Sequence, residues 1–291
     1  MENSWVLLSL VSAFSLATSD ALTKKALRLD NEYLVAWLRL VFSLPPLLLL
    51  LLFVPVPRLD RTFYLSFILA LPLEILALTL YIKALRLSPL TLTLPFLSLT
   101  PVFLIAFSWL ILGERVSPRG AAGIGLIAAG GYSLNLGSAR EGLFAPLRAI
   151  AKERGSVYMI VVALIYSMTS SLGKLAIEHS SPIFFGAAYF VAVTACFTPL
   201  VCINMNSRSR VTVLLREARN ALLPGLFYSA MIVSHMLAVS IAKVAYMIAV
   251  KRSSLLMGSI YGIVFFRERD IGQRLAGAAL MFAGFILVVT G

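Results

Sequence analysis

Lys251 and Arg252 stand side by side inside the apolar run "AYMIAVKRSSLLMGSIYGIVFF", residues 245–266. In hydrocarbon a single cation already costs about 2.5–3.5 kcal/mol on insertion scales. The chemistry such a pair offers is anion binding. A guanidinium grips a carboxylate or phosphate with two parallel hydrogen bonds, and an ammonium adds a compact point charge. Snorkelling is the structural alternative. The pair lies seven residues past Val244, so roughly 10 Å deep at the helical rise. Adjacent residues also point about 100° apart on a helix, so the two cannot reach one interface in the same way. The pair is read as facing a polar interior.

Glu74, in "ALPLEILALTLYIKAL", is the second group of interest. A carboxylate inside a span is a functional candidate by default. Desolvation raises a carboxyl pKa, so it could carry a coupling proton. It could equally pair with Arg39 or Lys251. Tyr81 follows two turns later on the same run, and Tyr228 and His235 lie on another. His235 reads either as a pH-sensitive group or as a histidine hydrogen-bonded between helices. Arg39 could meet Glu74 or substrate.

Other polar residues read as structural. Asp20 precedes Lys24 by four residues, good helical spacing for an ion pair. Lys174 reads as a snorkelling helix end, and Glu114 and Glu268, each flanked by Arg, as salt-bridged helix ends. Cys196 and Cys202 fit no metal or disulfide pattern and read as buried and inert. Trp5, Trp37 and Trp109 fall at span ends, as interfacial belts require. No nucleophile elbow, metal cluster or nucleotide loop is present. The expectation is a non-enzyme with no cofactor, no bound metal and no nucleic-acid partner.

The elements that must position these residues are membrane helices. The chain has 291 residues, 60% hydrophobic and 13% charged, where a soluble domain would be about a quarter charged. A span needs about 20 apolar residues. Ten are expected, at 4–22, 32–53, 63–85, 90–112, 118–136, 156–177, 182–203, 220–241, 244–265 and 271–290. The start, "MENSWVLLSLVSAF", has no positive n-region and reads as the first span. The net charge of +12 sits in the loops. Alternating loops put Arg58, Arg61, Arg115, Arg119, Lys174 and Lys243 on the side of the termini. Sixteen other Lys and Arg, from Lys24 to Arg274, fall on the opposite side. Taken alone, this bias places the termini outside.

Five spans followed by five suggest a repeat. "LILGERVSPRGAAGIGLIAAGGYSL" from Leu110 and "VFFRERDIGQRLAGAALMFAGFILV" from Val264 align with a shift of 154 residues. Glu114 then falls on Glu268, Arg115 on Arg269, Gly123 on Gly277 and Gly130 on Gly284. The same shift puts Pro45 on Pro199, Glu74 on Tyr228 and Tyr81 on His235, so polar or amphipathic groups recur at equivalent depths. An odd number of spans per half forces the halves to enter the bilayer in opposite directions. That is an inverted repeat, with 1–137 as one half and 155–291 as the other, and such folds bind substrate near the midplane. The glycines read as a smooth face for helix packing.

These features resemble the EamA-type transporters of the drug/metabolite superfamily. The carriers of the resemblance are "PFLSLTPVFLIAFSWLILGERVSPRGAAGIGLIAAGG" in the first half and "RERDIGQRLAGAALMFAGF" in the second, where Arg267 stands in place of Gly113. The resemblance implies an all-α membrane protein of ten helices in two inverted five-helix repeats. It also implies a central cavity lined by the third, fourth, eighth and ninth spans, alternating access, and termini in the cytoplasm, against the loop bias. The "VKR" stretch further resembles the plastid sugar-phosphate/phosphate translocators. There a ninth-span Lys-Arg pair grips phosphate with a fourth-span Lys. Here the 154 shift places Leu97 and Ser98 opposite Lys251 and Arg252, so that third cation is missing.

The resulting expectation is a multi-pass transporter of the plasma (inner) membrane, embedded in the lipid bilayer. It would move a small polar, anionic metabolite by alternating access, with a proton or an exchanged anion as coupling species. Lys251, Arg252, Glu74, Tyr81, Tyr228, His235 and Arg39 would bind the substrate. Two rivals stand beside it. One is a proton-coupled exporter of amino acids or cationic drugs with Glu74 as the coupling acid. The other is a flippase for a phosphorylated lipid carrier.

Overall fold

The structure is a computed structural model, and it describes residues 4–26, 32–87, 94–133, 154–204, 210–266 and 271–291. Among the described residues every regular element is helical. In hydrocarbon each backbone N–H and C=O must be satisfied within its own segment, and the long apolar runs therefore fold as helices. They are α1 (Ser4–Ala26), α2 (Glu32–Leu51), α3 (Arg61–Leu87), a 3-10 turn η1 (Leu94–Leu99) leading into α4 (Thr100–Leu112), and α5 (Pro118–Ser133). Then follow α6 (Arg154–Glu178), α7 (Pro182–Asn204), α8 (Arg210–Ile241), α9 (Val244–Lys251), α10 (Ser254–Phe266) and α11 (Ile271–Thr290).

Among the described residues seven stretches, counting η1 with α4, are long and apolar enough to cross a membrane, and Ala276–Thr290 is a shorter apolar helix. All ten expected spans have helical counterparts. The eighth begins ten residues earlier than expected, because "RVTVLLREAR" continues the helix rather than forming a loop. Prolines lie inside α2, α3, α7 and α8, as membrane helices tolerate.

The helices divide into two compact units, each drawing on both halves of the sequence. The first holds α1, α2, α3 to Ile75, the end of α6 from Gly173, α7 and α8. In it α1 and α8 run antiparallel. The Ser12 hydroxyl donates to the Met231 carbonyl (3.3 Å) and Ser19 to the Pro224 carbonyl (2.8 Å). Gly225 lets α8 close on Phe42 of α2, since a Cβ there would lie 2.9 Å from the Phe42 carbonyl carbon. Phe63, Phe67, Phe185 and Tyr189 form an aromatic core between α3 and α7.

The second unit holds the rest: α3 from Leu76, η1, α4, α5, α6 to Leu172, α9, α10 and α11. Its spine is the antiparallel crossing of α5 and α11. A Cβ on Gly123 would sit 2.7 Å from the Gly284 carbonyl oxygen, and one on Gly284 would sit 2.5 Å from that of Gly123. Likewise a Cβ on Gly130 would sit 2.6 Å from the Gly277 oxygen. Under the 154 shift Gly123 is the counterpart of Gly277 and Gly130 of Gly284. The contacts are therefore reciprocal, as a two-fold axis relating inverted helices requires. Helices gain no hydrophobic drive to associate in lipid, and glycine surfaces substitute close van der Waals packing.

The ninth span is not the continuous helix expected. It breaks into α9 and α10 at Arg252 and Ser253. Tight i−3 bonds carry the chain through: Ser253 N–H to the Val250 carbonyl (3.0 Å) and Leu255 N–H to that of Arg252 (2.9 Å). The repeat explains the place. Adding 154 to the limits of α4 (100 and 112) gives those of α10 (254 and 266), and η1 maps onto the end of α9 and its turn. A 3-10 turn thus precedes α4 and α10 at equivalent places in the two halves.

Candidate functional site

The two turns meet in the second unit. Arg252 is 9% exposed. Its Nη2 donates to the Thr100 hydroxyl at 2.7 Å. Thr100, 1% exposed, donates its own hydroxyl proton to the Leu97 carbonyl at 2.8 Å, closing η1. Lys251 is half-buried and ends α9, whose other residues, Val244 to Val250, are all buried. Leu97 and Ser98, the counterparts of the Lys-Arg pair, are also buried. Ser98 donates to the carbonyls of Pro95 (2.6 Å) and Ala128 (3.1 Å). Its Cβ fits because Gly131 has none: a Cβ on Gly131 would lie 2.7 Å away.

The start of α9 is clasped as firmly as its end. Gly113 ends α4 with φ +69°, a left-handed turn that glycine adopts without penalty, and its N–H returns to the Trp109 carbonyl (3.0 Å). The turn presents Glu114, whose Oε2 accepts the Val244 N–H at 2.9 Å. A carboxylate at a helix N-terminus meets both the unpaired donors and the positive end of the dipole. Lys243 Nζ donates to the Arg115 carbonyl (2.8 Å). The Tyr246 hydroxyl accepts the Ser117 N–H (3.0 Å) and donates to the Ser117 Oγ (3.1 Å). The eight residues of α9 are thus pinned at one end by the α4–α5 corner and at the other by Thr100. That fixes where Lys251 and Arg252 stand.

The first unit gathers a second polar cluster. Arg39 Nη1 pairs with Asp20 Oδ1 at 2.7 Å. The guanidinium carbon lies 4.4 Å over the Tyr228 ring, and Glu74 and Asp20 act on Tyr228 electrostatically. The Arg39 side chain is 14% exposed. A guanidinium held by a carboxylate and stacked on an aromatic face is held in place twice, so Arg39 orders this cluster. Asp20 reaches across to α2; the side chain of Lys24, its expected partner, lies outside the described residues. His235 is half-buried on α8.

The sequence-derived candidates therefore divide. Arg39, Glu74, Tyr228 and His235 lie in the first unit, while Tyr81, Lys251 and Arg252 lie in the second. The structure brings Arg39, Tyr228 and Glu74 together and adds Asp20. It joins Arg252 to Thr100, which sequence reasoning passed over. The one available signal was Thr100's place beside Pro101, at the start of the helix that matches α10.

Other expectations are corrected. Cys196 and Cys202 are exposed, not buried. They lie on the face of α7 turned away from its core residues Val193, Thr194, Phe197 and Val201. Trp37 is no belt residue alone, since its Nε1–H donates to Thr198 Oγ1 at 2.9 Å inside the unit. Lys174 is 7% exposed and lies 4.0 Å from Glu178. Glu268 and the stretch 134–153 lie outside the described residues.

At a loop, His179 Nδ1 and Asp60 Oδ2 stand 2.6 Å apart. The Phe63 N–H, with help from His179, holds the Asp60 carboxyl below its usual range against the opposing effect of desolvation. Any stability it contributes is present above the ordinary carboxyl range and lost as pH falls through the lowered value. Among the described residues no group of three or more His, Cys, Asp or Glu could hold a metal ion.

Residues 3–136 match the model of the EamA-like transporter family. No curated protein matches the chain. A solved structure titled "Crystal structure of protein" is similar in fold. It is 16% identical, with a TM-score of 0.75 over 98% of this chain and 96% of that one.

Proposed function

We propose that this chain, whose residues 3–136 match the EamA-like transporter family, is a secondary transporter. It moves a small anionic metabolite by alternating access across the plasma membrane, with Lys251 and Arg252 receiving the negative group. One observation carries the reading: the ninth span is interrupted at this pair, with Arg252 buried in the turn. A buried cation is expensive, and here it sits where the helix is already broken. Half-helix junctions near the midplane are where transporters of repeat architecture bind substrate.

A second reading has an observation of its own. Glu74 belongs to the electrostatic cluster of Arg39, Asp20 and Tyr228. In that reading the chain is a proton-coupled exporter of amino acids or cations, with Glu74 as the coupling acid.

A ligand that binds the folded state raises its apparent stability by mass action. Purified protein would be melted with inorganic phosphate, succinate, alanine and tetraethylammonium, beside Lys251→Ala/Arg252→Ala. The expected result is stabilisation by phosphate or succinate that disappears in the double variant. Stabilisation by alanine or tetraethylammonium alone, unchanged in that variant and lost in Glu74→Gln, would move the assignment to Glu74.

A further inference from the structure

We propose that Thr100 is a positioning residue for anion recognition: it aims the Arg252 guanidinium and ties that aim to the first-half junction. The inference rests on the transport reading above and names a residue outside the Lys-Arg pair.

The geometry at Thr100 leaves little choice. A hydroxyl has one proton and two lone pairs. The proton goes to the Leu97 carbonyl, 2.8 Å away. Toward Arg252 Nη2, 2.7 Å off, the oxygen can then act only as an acceptor. Thr is branched at Cβ and restricted about χ1, and at 1% exposure it has no room to swing. Pro101, next in sequence, fixes its own φ and lacks an N–H, so α4 begins rigidly. A planar guanidinium anchored at one corner by a rigid acceptor has its remaining donors set in direction. Such a fork loses less entropy when it closes on a carboxylate or phosphate.

The same bond has a second end. The carbonyl that Thr100 engages belongs to Leu97, the counterpart of Lys251 under the 154 shift, and Thr100 is the counterpart of Ser254. One hydroxyl therefore joins the 3-10 turn of the first half to the charged turn of the second. A change in either turn moves the guanidinium.

The test uses the full-length protein and phosphate or succinate, whichever stabilises the wild type. Its apparent Kd would be read from melting curves for wild type, Thr100→Val, Thr100→Ser and Arg252→Ala. Thr100→Val keeps the shape and removes the acceptor, and Thr100→Ser keeps the acceptor. The expected pattern is a Kd about tenfold weaker in Thr100→Val, since hydrogen bonds to charged groups exceed neutral ones. Thr100→Ser should stay within about twofold of wild type, and Arg252→Ala should not respond. A purely structural threonine would lower the melting temperature without ligand and leave Kd alone, which overturns the inference. So does a Thr100→Ser variant as weak as Thr100→Val. If Thr100→Val does not fold, Thr100→Ala takes its place under the same criteria. If Arg252→Ala binds as the wild type does, the transport reading fails, and the positioning role fails with it. If only the Thr100 variants bind as the wild type does, the positioning role fails alone.

Discussion

At the first-half junction, Leu97-Ser98-Leu99, the polar groups close on themselves. Ser98 spends its hydroxyl on Pro95 and Ala128, and apolar side chains fill the rest. At the second-half junction, Lys251-Arg252-Ser253, a buried guanidinium reaches out of its own turn to the start of α4. The backbones are equivalent under the repeat, but the chemistry is not. A 3-10 turn at this place in both halves is thus a property of the architecture, and charge at one of them is a property of this protein. The difference separates what the fold needs from what it does not. The fold needs a short 3-10 turn and a close neighbour, and the cations are the addition.

Moving the charge is the strongest way to break that comparison. Ser98→Arg should destabilise by about 3–6 kcal/mol, combining the insertion cost of a mid-span cation with crowding against Gly131. Thermal melting of the purified variant checks it. A near-native melting temperature would mean that the first junction also admits a charge, and the asymmetry would lose its functional meaning.

Enlarging the reciprocal glycines should act more weakly and equally. Gly130→Ala and Gly284→Ala each push a methyl toward a backbone carbonyl of the facing helix. Each should cost about 1–3 kcal/mol, with the two melting temperatures close to one another. Clearly unequal losses would show that the crossing lacks the reciprocity its register implies. The smallest effect is expected from Ser98→Ala. Its hydroxyl bonds to carbonyls that accept well elsewhere, so the loss should be about 1 kcal/mol or less, with phosphate or succinate affinity unchanged.

Most of the architecture was legible because membrane helices announce themselves by length and apolarity. The repeat was legible because Glu-Arg and the two glycines kept their spacing. The break after Lys251 was not, because nothing in "AVKRSSLL" is a helix breaker. A 3-10 tightening needs neither Gly nor Pro, and only the counterpart "LPFLSLTP" hinted at it. The candidate site was legible as residue types and not as partners. Asp20 showed a local partner in Lys24, and nothing in its spacing pointed to the distant Arg39 that it pairs with. Thr100 was one hydroxyl among many. Local spacing favours i,i+4 pairs, whereas these bonds join helices far apart in sequence.

The reciprocal crossing of α5 and α11 sets an order of assembly. Gly123 and Gly130 can be covered only by a helix that begins roughly 140 residues after α5 ends. At about 5–20 residues per second, the ribosome needs about 7–30 s to supply it. The first unit waits in the same way for α7 and α8. Neither unit can close behind the growing chain, so early helices spend that interval with glycine surfaces turned to lipid. Biogenesis of this chain is therefore a post-insertion folding problem, in which the membrane holds finished helices until their partners arrive.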